Sequence, residues 1–167
     1  MRVILVSLLL SICITCYSQL TGEVVSIADG DTFTLLTPEK KQIKIRLHGI
    51  DCPEKNQDFG TVAKEYLSDL IFEKTVKVQK VRIDRYRRTI GIVTIDGEVA
   101  NEKLLQQGLA WHYKKYDQNP KWAALELEAR KAKLKIWSLK DPVPPWEFRA
   151  KKSKAKAVKK SGGAGNG

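Results

Sequence analysis

Short runs with an apolar side chain at every second position, each closed by turn residues, do most to limit the folds open to this chain. A strand turns successive side chains to opposite faces, so a two-residue period marks a ribbon with one face to bury. Gln42–Leu47 alternates cleanly, with Ile43, Ile45 and Leu47 on one face and Lys44, Arg46 and then His48 on the other. Residues 23–27 and Thr32–Leu36 flank Asp29-Gly30 and read as a hairpin. Residues 75–81 and Thr89–Ile95 add two strands around the charged loop 83–88, and Asp96-Gly97 closes another tight turn. Five strands in so short a chain predict a compact barrel of mainly β, α+β class.

Three helices are expected on that barrel. Phe59, Ala63, Tyr66 or Leu67, and Leu70 recur at helical spacing, and residues 101–107 end at Gly108, a suitable left-handed cap. The third helix opens at Asn119-Pro120 and aligns Trp122, Leu125, Ala129, Ala132 and Ile136 in one stripe. Its acids Glu126 and Glu128 precede Arg130, Lys131, Lys133 and Lys135, the order a helix dipole favours. Proline density in Asp141-Pro142-Val143-Pro144-Pro145-Trp146 then predicts an extended strap pinned by Trp146. Residues 149–160 are mostly Lys and Ala and 161–167 are rich in Gly, which reads as a mobile basic tail and an auxiliary grip on polyanions. The expected organisation is a leader at 1–18, one folded domain at 19–147 and the tail at 148–167.

The leader follows from Met1-Arg2 and the apolar run 3–14, too short to span a bilayer, with a small residue at the cut after Ser18 and another, Cys16, nearby. It predicts a secreted or cell-envelope, periplasmic protein without stable membrane insertion after cleavage. A lipid anchor on Cys13 or Cys16 is the rival, and Ile12 and Thr15 suit it poorly. Cleavage leaves Cys52 as the sole thiol, so no internal disulfide can form and the core must hold a monomeric fold. Lys plus Arg number 30 against 19 Asp plus Glu, a formal net charge of +11 that becomes +10 once Arg2 is removed. Such an excess attracts polyanions, either nucleic acid or anionic surface polymers.

A dispersed set of charged residues selects between them. Asp31 in Asp29-Gly30-Asp31-Thr32, Asp51 and Glu54 in Asp51-Cys52-Pro53-Glu54, and Arg46 and Arg88 all sit in or beside predicted loops. A phosphodiester resists water through its charge and its poor alkoxide leaving group, so cleavage needs neutralisation, positioning and a proton acceptor. Asp31 and Asp51 offer hard oxygen ligands for calcium, with magnesium second. Glu54, three residues after Asp51 with Pro53 stiffening the link, is placed as the base, and Arg46 and Arg88 can fork onto phosphate oxygens. Taken singly, each has a blander reading: a turn aspartate, a solvated glutamate, a surface ion-pair partner. Trp111, Tyr113 and Tyr116 interleave with Lys114 and Lys115, a pattern suited to stacking bases and holding a single strand. Trp111 is expected in the core, whereas Tyr86, Tyr113 and Lys114 are candidate substrate contacts. His48 and His112 show no ligand or triad pattern and are expected to be structural.

These segments, in order, resemble the thermonuclease or staphylococcal nuclease family from Gly22 to Trp137. The resemblance is carried by Asp29-Gly30-Asp31-Thr32, Ile45-Arg46-Leu47, Ile50-Asp51-Cys52-Pro53-Glu54, Asp84-Arg85-Tyr86-Arg87-Arg88, Asn101-Glu102 with Gln107-Gly108-Leu109-Ala110, and Ile136-Trp137-Ser138. It implies an OB-fold five-stranded barrel with helices, secreted, that hydrolyses DNA and RNA with calcium and leaves 3′-phosphate ends. It also implies roles: Asp31 and Asp51 as side-chain calcium ligands, Cys52 as a carbonyl ligand, Glu54 as general base, Arg46 and Arg88 as phosphate-binding arginines, and Tyr113 as a nucleotide contact.

Two residues depart from the family pattern. Arg87 replaces a usual glycine, which predicts strain of about 1 kcal/mol at a left-handed position and lowered activity. Cys52 replaces a usual threonine and is expected to pack quietly. The competing expectation is an OB-fold nucleic-acid-binding module that is catalytically weak or inactive, but such a copy would be expected to have lost at least one of the five charged residues.

Overall fold

The computed structural model describes residues 19–162, with side chains through Ala155. The expected leader at 1–18 and the end of the tail at 163–167 lie outside the described residues. The strands are β1 (Gln19–Asp29), β2 (Thr32–Leu36), β3 (Gln42–Leu47), β4 (Ile50–Asp51), β5 (Thr75–Ile83), β6 (Thr89–Ile95), β7 (Glu98–Val99) and β8 (Trp111–His112). The helices are α1 (Gly60–Ile71), α2 (Ala100–Gln106), α3 (Pro120–Lys131) and α4 (Pro145–Gly162), with a 3-10 turn at Lys135–Ser138.

Five long strands run in the order β3-β2-β1-β5-β6, and a parallel pairing of β3 with β6 closes the ring through Ile45↔Thr89, Arg46↔Ile90 and Leu47↔Gly91. Closure is possible because β1 serves two neighbours. Residues 19–23 pair with β5 and residues 23–29 with β2, with register shifts between Val24 and Ser26 and between Ile27 and Asp29. Such bulges bend a strand around a barrel corner. The Asp96-Gly97 turn, with φ of 50° and 81°, links β6 to β7 as an Asp-Gly hairpin should.

The alternation read from sequence supplies the core. Val24, Phe33, Leu35, Ile45, Leu47, Val76, Val78 and Val93 are buried in one cluster with Ala63, Leu67 and Ile71 of α1 and Leu104 and Leu105 of α2. Each large apolar side chain fully buried there contributes about 1.5–3 kcal/mol. Asn101 stitches α2 to the barrel: its Oδ1 accepts the Val93 N–H at 3.1 Å and its Nδ2 donates to the His48 carbonyl at 2.9 Å. A second cluster, Trp111, Ala129, Ile136 and Trp137 with Trp146 against it, joins β8 to the chain after α3.

Two helical expectations are corrected. The third helix stops at Lys131, because Lys133 and Lys135 take φ of 52° and 45° in the left-handed region. Ile136 continues the buried stripe from the 3-10 turn, where its N–H donates to the Gly108 carbonyl at 3.2 Å, so the apolar periodicity outlasts the helix. The region expected as a strap and an irregular tail contains a fourth helix, α4, from Pro145 through Gly162. Pro145 occupies the first turn, where a missing N–H is harmless, Glu147 meets the dipole there, and Lys and Ala are strong helix formers. Among the described residues of that region, only the segment before Pro145 is irregular.

Candidate active site

Asp31 sits in the β1–β2 turn, where its N–H donates to Asp29 Oδ1 at 3.1 Å. The turn is pressed onto the rest of the site: a Cβ on Gly30 would lie 2.7 Å from Ala63 Cβ and 2.9 Å from Cys52 Cβ. Cys52 locks it there, its N–H donating to Asp31 Oδ2 at 3.0 Å and its thiol to the Gly30 carbonyl at 3.2 Å. Asp51 is fixed by the β4–β8 pairing opposite Trp111. Glu54 follows in a tight loop in which a Cβ on Gly60 would stand 2.0 Å from the Glu54 carbonyl oxygen, so α1 begins in contact with the loop.

Arg46 ties the acids together. From β3 its Nη1 donates to Asp31 Oδ1 and its Nη2 to Asp51 Oδ1 at 2.8 Å, with the Arg46 side chain 16% exposed and that of Asp51 1%. Asp31 is buried, which pushes its carboxyl up, yet Arg46 and the Cys52 N–H hold it below the usual carboxylate range. Burial, with the Asp31 charge, lifts Asp51 above that range despite Arg149 and Arg46. Asp29, beside them, is pushed up to about 7 by burial and then by the Asp31 charge. Burial, followed by the Asp31 and Asp51 charges, also drives the Cys52 thiol well up, which leaves it unreactive, as packing predicted.

The donor chemistry fits a hard cation: buried carboxylates from distant segments need positive charge, and their ligand atoms are oxygens. Among the described residues no three His, Cys, Asp or Glu side chains form a ready-made cage, so such an ion would rely on Asp31, Asp51 and backbone or water oxygens.

Arg88 enters the same pocket, an open cavity of about 780 Å³ lined among others by Asp31, Arg46, Cys52, Glu54, Tyr86 and Arg88. Asp84 aims it. Asp84 Oδ1 accepts the backbone N–H groups of Tyr86 and Arg88, each at 2.9 Å, and Oδ2 accepts Arg88 Nε at 2.8 Å. Against the upward push of desolvation, these donors hold the Asp84 carboxyl below the usual range. Arg87 does adopt the left-handed conformation, at φ 64°, with its side chain exposed. The strain is real but the loop still delivers Arg88. Arg87→Gly is therefore expected to raise stability by up to about 1 kcal/mol, partly offset by glycine's extra chain entropy. Thermal unfolding checks this, and a lower midpoint would show that Arg87 relieves its own strain.

The candidate substrate contacts divide. Tyr86 is 64% exposed, with the Arg85 and Arg88 guanidiniums 4.8 Å and 5.5 Å from its ring. Tyr113 lines the pocket, but Trp146 of α4 stacks on it at 4.7 Å with 13° between planes. Lys114 is exposed and does not line the pocket; Lys115 does. Arg149, which sequence reasoning missed, reaches in from α4 to Asp51 and Glu54.

His48 and His112 both face Asp117 through Nε2, at 3.3 Å and 2.8 Å, and His48 also lines the pocket. Burial depresses the His48 pKa in spite of Asp117, so the unfolded chain takes up a proton there first on acidification. Stability from this group is present above about 6.5, the usual His value, and is lost as pH falls through the lower folded value. Acidification from pH 7 to 5 should therefore cost the protein more stability, or return less, than it does His48→Gln, since Asp29, raised to about 7, works in the opposite direction in both proteins. An equal shift of the thermal midpoint in the two would remove His48 from the account.

A closed five-stranded barrel that gathers carboxylates and guanidiniums from distant segments into one open pocket defines a phosphodiester hydrolase of OB-like fold. A family model described as staphylococcal nuclease homologue matches residues 44–139, and the chain belongs to that family. It is similar to a protein of Haemophilus influenzae described as an uncharacterized endonuclease, 40% identical over 129 residues, 77% of this chain and 72% of the other. A second protein of that description, from Escherichia coli O157:H7, is 39% identical over 136 residues, 81% of this chain and 88% of the other. A micrococcal nuclease of Shigella flexneri is 34% identical over 160 residues, covering 89% and 91%. The chain is thus a nuclease, as the acid and arginine set predicted.

Proposed function

We propose that the protein is a secreted or cell-envelope, calcium-dependent endonuclease acting on DNA and RNA with little sequence specificity. The observation that carries this is the Arg46 bridge between Asp31 and Asp51, with Glu54 and Arg88 in the same pocket. Asp31, Asp51 and the Cys52 carbonyl would hold the calcium ion, with magnesium the weaker fit. Bound there, the ion would neutralise phosphate charge and favour ionised water.

The chain's own groups do the rest. Glu54, 40% exposed at its side chain, reaches solvent and can take the proton of the attacking water. A guanidinium carries five N–H donors, so Arg46 and Arg88 keep donors for phosphate oxygens after their carboxylate bonds, and those donors stabilise charge that grows in the transition state. Tyr86 offers an exposed ring to a base, and the open, cation-rich pocket admits single or loosely stacked strands without reading base edges. Secretion rests on the leader at 1–18; among the described residues no helix is long and apolar enough to cross a membrane.

The test is incubation of the purified protein with plasmid and with RNA in calcium, in magnesium and in chelator. Cleavage in calcium that chelation stops is expected. Intact substrate in every metal condition would reject catalysis in favour of a binding module, and cleavage undiminished by chelator would reject the cation.

A further inference from the structure

We propose that α4 is an autoinhibitory latch, whose Arg149 and Trp146 cover the ground that a divalent cation and a stacked base take when the nuclease loads. The inference rests on the cation reading above and concerns what holds those groups beforehand. Arg149 forks onto Asp51, Nη2 to Oδ2 at 2.7 Å and Nη1 to Oδ1 at 3.1 Å, and the same Nη1 reaches Glu54 Oε1 at 2.7 Å. With Arg46 Nη2 also on Asp51 Oδ1, both oxygens of that carboxylate are engaged. A cation cannot take the Asp51 side chain from solvent while the fork stays. Glu54 Oε1, taken by the same Arg149 Nη1, is likewise occupied where a water would bond to it.

Trp146 stands three residues before Arg149, on the same face of the helix. Its stacking on Tyr113 at 4.7 Å hides a ring face that a base would need. One element therefore blocks both places, and one movement frees both.

The closure is built to be reversible. Arg149 is 42% exposed at its side chain, so water and anions reach its guanidinium, and its pair with Glu54, 40% exposed, is weak although Asp51 is buried. The segment entering α4 is moored to the Glu54 loop, since Gln57 Nε2 donates to the Val143 carbonyl while Gln57 Oε1 accepts the Glu54 N–H at 3.2 Å. That mooring lets α4 lift without leaving. Lys151, Lys152 and Lys154 are exposed along the helix, so an arriving polyanion pulls on the latch itself.

The experiment is calorimetric titration of calcium into the purified protein and into Arg149→Ala and Trp146→Ala. It is combined with hydrogen exchange of the α4 amides in the unsubstituted protein, with and without calcium and a single-stranded phosphorothioate oligonucleotide. Arg149→Ala is expected to bind calcium about tenfold more tightly, the scale of losing charge-assisted hydrogen bonds to a competitor, and to cleave faster at limiting calcium. Trp146→Ala should shift cleavage the same way, and loading should speed α4 exchange several-fold. Equal calcium affinity in all three proteins, slower cleavage by Arg149→Ala, or α4 exchange unchanged on loading would overturn the latch and leave the cation reading standing. Absence of calcium binding in every protein would overturn both.

Discussion

Glu54→Gln is expected to lower the rate of phosphodiester cleavage by about 10²- to 10⁴-fold, the contribution of a positioned carboxylate base. The carboxamide keeps the shape of the side chain and loses its ability to take a proton. Glu54 is 40% exposed and its partner Arg149 42%, so the substitution removes only a solvent-screened pair. Stability should change by less than about 1 kcal/mol. Unchanged thermal unfolding beside lost cleavage would assign the loss to chemistry, whereas retained activity would deny Glu54 its role as base. Single-turnover measurement under saturating nucleic acid reads the effect without interference from binding.

Arg46→Ala should have the largest effect on the fold. Arg46 spans two carboxylates whose side chains are 4% and 1% exposed, and removing the charged partner of a buried pair costs about 3–5 kcal/mol. The loss arises from unpaired negative charge, so it carries a signature that a packing defect lacks. Lower pH should restore part of the stability by protonating Asp31 or Asp51, and calcium should restore part by mass action, to the extent that it binds the folded chain alone. Chemical denaturation at pH 7 and pH 5, with and without calcium, measures each contribution. A deficit indifferent to both would show that Arg46 is holding the barrel seam between β3 and β6 rather than balancing charge.

The barrel was legible because each of its strands buries one face, and alternation is the trace such burial leaves in sequence. The closing β3–β6 pair was not, since a parallel pairing between distant strands leaves no local pattern. Helix α3 ended early for a related reason: Ile136 keeps the stripe's period, but left-handed Lys133 and Lys135 spend the intervening residues on a turn. The charged residues of the pocket were readable from residue type and spacing, and the structure brings Asp31, Arg46, Glu54 and Arg88 to one cavity, with Asp51 buried behind its bond to Arg46 and off the lining.

Aromatic and basic interleaving does not say which lysine faces inward: the turn after β8 brings Lys115 to the pocket and leaves Lys114 off its lining. Arg149 was hidden by the prolines before it, read as breakers although Pro145 begins a helix. Glu147 in the first turn and the three-residue step from Trp146 to Arg149 were the available signals.

The most direct test of the whole account is the stoichiometry of calcium bound by the protein, by Asp31→Asn and by Asp51→Asn, each measured with a short nucleic acid present. One ion per chain, with affinity falling at least tenfold in both variants, is the expected result, because the two aspartates are held to share a single cation. Affinity unchanged in either variant would contradict it.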